Sequence, residues 1–308
     1  MQNGILGLHH ITAIAGNAKR NFDFYTRVLG LRLVKKTVNF DDPGTYHFYF
    51  GDETGTPGTI LTFFPWEGIH AGKPGTGMAT DIGYAIPLGS IDFWKANLEK
   101  NNVGITDSGQ RFGQNFISIQ DPDGLSLTLI ETKDTRNPWV TDEVNEDMAT
   151  RGFHSITLTL KHREATAKVL TDILGYQLVN KEDNRYRYTT DTVNTASIVD
   201  LISAPQGKSG DNAGGTIHHL AFRVKDEATQ MEYRKKIENY GLGVTPKIDR
   251  NYFFSIYFRE PGGVLFEIAT DNPGFSVDEP VNELGQHLKL PAQYEAHRIQ
   301  IEKVLPVI

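Results

Sequence analysis

Residues 8–34 of this 308-residue chain lie without a gap on residues 153–179. His9 falls on His154, Ile11 on Ile156, Thr12 on Thr157, Leu29-Gly30 on Leu174-Gly175, and Leu33-Val34 on Leu178-Val179. A repeat at an offset of 145 residues constrains the fold strongly, because each copy is one supersecondary unit that needs a neighbour. Each copy reads as a strand, a helix ending at Leu-Gly, and a second strand. The glycine suits a helix C-terminus, where positive φ is needed. A fainter pair is Asn115–Gly124 and Phe254–Gly263, each a strand, a Pro-Gly type turn and a further apolar strand, which together make a hairpin. Helical stretches, Ser90 to Lys100 and Lys225 to Tyr240, precede them.

The chain thus divides into four units of one strand, one helix and about three strands, over 5–66, 78–131, 151–204 and 214–270. Joins at Ala71–Gly75 and Gly207–Gly215, and the acidic stretch Thr141–Asp147, separate them. By halves, an N-terminal domain spans 5–140 and a C-terminal domain 151–270; a tail, 271–308, carries an amphipathic segment around Tyr294–Leu305 expected to dock as a helix. One unit alone leaves an open sheet with an apolar face, so units must pair. The expected fold class is α+β: four βαβββ modules forming two barrel-like mixed sheets, each enclosing a cavity.

Two histidine pairs, His9-His10 and His218-His219, open strand-like runs, and Glu267 stands in a third run, Val264–Ala269. Successive strand residues face opposite sides, so His9 and His10 cannot both enter one cavity. The repeat chooses between them. A histidine used for packing serves in both copies, as His9 and His154 do, whereas Ser155 stands opposite His10. The same comparison sets Thr128 and Thr62 opposite Glu267, and Gly83 opposite His219. Ligand-type residues then remain at His10, His219 and Glu267, so one complete site requires module 1 to pair with 4, leaving 2 with 3 and no metal. A lone strand histidine is more often a hydrogen-bonded core residue than a ligand. A buried, unpaired carboxylate, however, costs several kcal/mol, and no Lys or Arg in its own run answers Glu267.

Other residues are placed to orient ligands or handle protons: His218 beside a ligand, Thr12 on the face of His10, and Arg250 and Tyr257 before and within the strand leading to Glu267. Arg111 opposite Arg250 keeps a structural role open for Arg250, while Ser118 opposite Tyr257 makes Tyr257 the more site-specific. His47, His70, His162, His287 and His297 lack a partnered context and are assigned to the surface or the substrate edge.

The chain has no cysteine, which excludes disulfides, thiolate metal sites and cysteine nucleophiles. A metal held by His and carboxylate points to iron, manganese or zinc. A net charge of −7 with no basic patch argues against a nucleic-acid partner. No run approaches the ~20 apolar residues of a membrane span, and the N-terminus lacks a signal-peptide layout; a cytoplasmic protein is expected. The turns at Gly124 and Gly262-Gly263 lack the Lys-Ser/Thr of a phosphate loop, and neither a Gly-x-Ser-x-Gly elbow nor a Rossmann fingerprint occurs.

Leu8–Thr12, Ile217–Phe222 and Leu265–Ala269 resemble the vicinal oxygen chelate (glyoxalase/bleomycin resistance/dioxygenase) superfamily, and the tail segments Leu288–Pro291, Glu295, Arg298 and Leu305-Pro306, which generic members lack, resemble one group within it. Over essentially its whole length, the chain is most similar to ring-cleaving dioxygenases of that superfamily that act on hydroquinones. The resemblance implies Fe2+ (Mn2+ or Zn2+ as alternatives on isolation) bound by His10, His219 and Glu267. It places the supporting residues at His9, Thr12, His218, Arg250 and Tyr257. The implied partners are a small aromatic substrate and O2, with His218 or Tyr257 handling the phenolic proton; oligomeric state is left open, a homo-oligomer included. A glyoxalase-type isomerase is disfavoured by Thr62, where that chemistry generally uses a second carboxylate. A non-enzymatic binder of this fold is disfavoured by three intact ligand positions. A catechol extradiol enzyme is disfavoured because His10 comes from the first half.

Overall fold

The four units fold as the repeat requires. In the computed structural model, which describes residues 4–308, each contributes four strands and one helix. Unit one supplies β1 (Leu8–Ala15), α1 (Ala18–Asp23), β2 (Arg32–Val38), β3 (Tyr46–Gly51) and β4 (Ile60–Pro65). Unit two supplies β5 (Met78–Ile86), α2 (Ile91–Lys100), β6 (Ile105–Arg111), β7 (Gln114–Gln120) and β8 (Ser126–Glu131). Unit three has β9 (Phe153–Leu160), α3 (Glu164–Lys168), β10 (Gln177–Glu182), β11 (Arg185–Thr189) and β12 (Ile198–Ser203). Unit four has β13 (Thr216–Val224), α4 (Glu227–Asn239), β14 (Ile248–Asp249), β15 (Phe253–Arg259) and β16 (Leu265–Pro273).

The helices α1 and α3 finish alike. Each widens into one π-helical turn, Phe24–Val28 and Val169–Ile173, and stops at a glycine with positive φ, 65° at Gly30 and 75° at Gly175. That is the Leu-Gly ending expected from the repeat.

Two mixed eight-stranded sheets result, ordered β14-β15-β16-β13-β1-β4-β3-β2 and β10-β11-β12-β9-β5-β8-β7-β6. Unit one therefore pairs with unit four, and unit two with unit three, as the ligand argument demanded. The seams are antiparallel, β1 on β13 and β5 on β9. All eight residues of β1 are buried, one face toward the barrel interior and the other toward the core. No helix among the described residues is long and apolar enough to cross a membrane.

The tail breaks the symmetry of the sheets. Beyond β16, Phe275 packs its ring 5.1 Å from Tyr49 and 5.0 Å from Tyr252. The next residues clasp Lys35 of β2, whose fully buried ammonium lies 2.5 Å from Asp278 and 2.6 Å from Glu279. Lys289 N donates to Lys36 O at 2.9 Å, and a final helix, α5 (Arg298–Val304), buries Ile301 and is followed by buried Leu305. Edge strand β2 is thus covered, while its counterpart β10 is exposed along its length. Removing one partner of a buried ion pair costs about 3–5 kcal/mol, because a buried charge is left unanswered. Lys35→Met is expected to lower the urea midpoint accordingly, and Lys35→Met with Glu279→Gln to recover part of the loss.

Candidate metal centre

Where β1 meets β13, Leu8 pairs with Phe222 but His10 with Ala221, so His9 is an extra residue on β1. Two residues on, Thr12 pairs with His219 but Ala13 with Ile217, so His218 is extra on β13. These are β-bulges, which re-aim the side chains around them. His10 and His219 thereby share the barrel-facing side with ring centroids 5.6 Å apart. Parallel pairing of β13 with β16 sets Glu267 beside Ala221, next to both rings.

Each bulged histidine supports its neighbour. His9 Nε2 meets the Thr270 carbonyl at 3.1 Å, and His9 Nδ1 lies 2.9 Å from His10 Nδ1. Burial pushes the His9 pKa well below the usual value, so the ring is neutral. A carbonyl only accepts, so the His9 proton sits on Nε2 and its Nδ1 accepts from His10 Nδ1–H. A neutral His10 then directs a bare lone pair from Nε2. Likewise His218 Nδ1 lies 2.7 Å from His219 Nδ1, and burial lowers the pKa of both rings, to about 4 for His218.

The His10 and His219 Nε2 atoms reach Glu267 Oε2 at 3.2 and 3.0 Å. These lengths bring two imidazole nitrogens and one carboxylate oxygen to a common point, and a ring whose single proton sits on Nδ1 offers that point a lone pair from Nε2. Glu267 Oε2 is a buried oxygen without a partner, while Oε1 accepts from Ser255 Oγ. Three acceptor atoms within 4.8 Å of one another, all buried, fit a cation. Among the described residues this is the one such His/Cys/Asp/Glu group.

His10 and His219 open into a cavity of about 400 Å³, with Glu267 fully buried beside them. Its apolar walls are Phe40, Phe64, Trp66, Phe253 and Leu265, with Thr12, His47, His218, Arg250 and Tyr257 as polar points. Of the expected supporting residues, Thr12, His218, Arg250 and Tyr257 therefore meet at the cavity, while His9 lies behind it in a separate cleft near Phe275. Arg250 Nε donates to Tyr257 Oη at 3.2 Å, and the Tyr257 ring stands edge-on to His219. Burial raises the Tyr257 pKa, so its hydroxyl keeps its proton.

Two expectations need correction. His47 has partners: Tyr49 Oη donates to Nδ1 at 2.9 Å, Nε2 to Thr62 Oγ1 at 2.9 Å, and Thr62 onward to Thr12 at 2.9 Å. The alternation Tyr46-His47-Phe48-Tyr49, with His47 and Tyr49 on one face of a unit already assigned the site, was the available signal. Secondly, Gly83 pairs with Thr128 as Ala221 pairs with Glu267, so the residue in the place of His219 is Asp81. Asp200, paired with Thr157, stands where Thr62 stands in the first barrel. The second barrel thus keeps carboxylates, answered not by imidazoles but by Arg185 and Arg187 on Asp200 and by Arg111 near Asp81.

That barrel also keeps the bulge. His154 is again the extra residue, with Nδ1 3.1 Å from Ser155 Oγ and Nε2 3.2 Å from Gln114 Oε1. Burial, reinforced by Arg187, pushes its pKa down to about 3. The unfolded chain, with a His pKa of about 6.5, takes up the proton first. His154 therefore favours folding fully above about pH 6.5, and less as pH falls toward 3. His154→Gln is expected to shrink the loss of unfolding free energy between pH 7 and pH 5 by about 2 kcal/mol in urea titrations.

The fold and this site define the class: the chain belongs to the glyoxalase/bleomycin resistance protein/dioxygenase superfamily, whose family model matches residues 7–129 and 152–268. Within it, the chain is 48% identical over 306 residues to "Putative ring-cleaving dioxygenase MhqO" of Bacillus subtilis (strain 168), covering 99% of this chain and 97% of that protein. It is 36% identical over 309 residues to the chlorohydroquinone/hydroquinone 1,2-dioxygenase of Sphingobium indicum, covering 97% and 95%. The crystal structure of a "putative dioxygenase" from Bacillus subtilis matches with a TM-score of 0.96 at 46% identity, over 99% of this chain and 98% of that one.

Proposed function

We propose that this chain is a ferrous-iron dioxygenase that opens the ring of hydroquinone-type aromatics. The observation that carries the proposal is the convergence of three buried ligand atoms, from His10, His219 and Glu267, beside an aromatic-walled cavity that the two histidines line. The naming of a full-length relative for chlorohydroquinone and hydroquinone supports the substrate class.

His10 Nε2, His219 Nε2 and Glu267 Oε2 would hold the ion. Bound there, it would supply open positions for a ring hydroxyl and dioxygen, and a path for electrons from ring to oxygen. The ring bond beside a hydroxyl-bearing carbon breaks, and both oxygen atoms stay in the product. A cavity of about 400 Å³ seats a substituted single ring, since ~150 Å³ already takes benzene. Phe253, its ring 4.8 Å from that of His10, forms the wall nearest the ligands.

The chain's protons are placed for this task. If His218 Nδ1 accepts from His219, as His9 does from His10, the His218 proton sits on Nε2, on a side chain that lines the cavity. Tyr257 keeps its phenolic hydrogen beside the Arg250 guanidinium. Both residues thus stabilise negative charge on a ring or dioxygen oxygen by donating to it. The Tyr49–His47–Thr62–Thr12 chain fixes Thr12 on the face of His10.

After anaerobic loading with Fe2+, oxygen uptake measured with an electrode is expected on methylhydroquinone and absent on catechol. No uptake on any hydroquinone overturns the proposal. In metal analysis, His10→Ala, His219→Ala and Glu267→Ala are expected to lose the ion, and Ser155→Ala to retain it. His9→Ala should weaken binding ~10–100-fold, as loss of an orienting partner does. Retention by His10→Ala with loss by His9→Ala would reverse the assignment within the first pair.

A further inference from the structure

We propose that the second barrel carries a binding site for a small monocarboxylate, centred on Arg111. The strand registers place Arg111, Arg185 and Arg187 where the first barrel has Arg250, His47 and Tyr49, all of which line its catalytic cavity. Two carboxylates face them, Asp81 and Asp200. Asp200 is satisfied: Arg187 Nε and Nη2 donate to it at 2.9 and 3.0 Å, and Arg185 Nη1 at 3.2 Å. Asp81 accepts from the hydroxyls of Ser126 and Thr128 at 2.8 and 2.9 Å, and comes no nearer to Arg111 than 4.0 Å.

Arg111 is thereby the most loosely answered of the three, its ion pair with Asp81 spanning 4.0 Å. Its guanidinium makes no side-chain hydrogen bond to the described residues, although only 18% of its side chain is exposed. Among these five groups one positive charge is in excess, and the nearby Glu182 carboxylate is exposed and held on the Phe112 N–H rather than on a guanidinium. A half-buried charge of this kind calls for a counter-ion. The group is also held in position, with the Phe116 ring 4.4 Å from Arg111 Cζ and the Phe112 ring 4.0 Å from Arg187 Cζ. A planar fork that makes no hydrogen bond to the described residues and keeps only a 4.0 Å ion pair matches a carboxylate, singly charged and planar.

The test is isothermal titration of the full-length protein with sodium acetate, at ionic strength held constant with sodium chloride. Saturable binding to one site is expected, weakened at least tenfold in Arg111→Gln and also in Arg111→Lys, which keeps the charge but loses the fork. Arg250→Gln, the equivalent change in the first barrel, should leave acetate binding unaltered. Ring-cleavage activity of Arg111→Gln should equal that of the parent, which certifies its fold. Absence of saturable binding, its survival in both Arg111 variants, or its loss in Arg250→Gln overturns the proposal.

Discussion

At the seam of β1 and β13, each strand carries one residue more than its partner accommodates, and in both cases it is the first histidine of a pair. Without those bulges, strict alternation would send the two rings of each pair to opposite faces. With them, the first ring bends round to take the Nδ1 proton of the second, and a backbone carbonyl at Thr270 fixes the tautomer on the His9 side. From this follow the convergence of two Nε2 atoms on an orphaned carboxylate oxygen and the place of His218 on the cavity wall.

The second barrel shows which parts belong to the scaffold and which to the chemistry. It keeps the seam and the bulge at His154, and even keeps carboxylates in the interior. What it changes is the source of positive charge, which comes from arginines on β11 and at the end of β6. The same scaffold can thus answer buried acids with a bound ion or with its own side chains. The tail adds a further difference, since Phe275 and the Lys35 clasp back the aromatic layer behind Phe253 only in the first barrel.

Much of this was legible in the sequence. The 145-residue repeat marks out the unit, and the contrast of His10 with Ser155 anticipates the pairing of modules and the member of the first pair that meets His219 and Glu267. The misassignment of Gly83 has a specific cause. A slip of two residues along a strand preserves which face each side chain occupies, so alternation cannot detect it; only the pairing of Gly83 with Thr128 identifies Asp81 as the counterpart of His219. His47 was passed over because its partners Thr62 and Thr12 lie across the sheet, and sequence distance conceals them. The tautomers, too, depend on a carbonyl 261 residues away.

The seam has a consequence for how the protein is made. His10 emerges from the ribosome more than two hundred residues before His219 and Glu267, which arrive with unit four. Until β13 docks on β1, His10 has one neighbour to donate to and nothing to share an ion with. The complete donor set cannot precede closure of a loop of more than two hundred residues. Assembly of the donor set is therefore a late event in folding, open only to molecules whose first and fourth units have found each other.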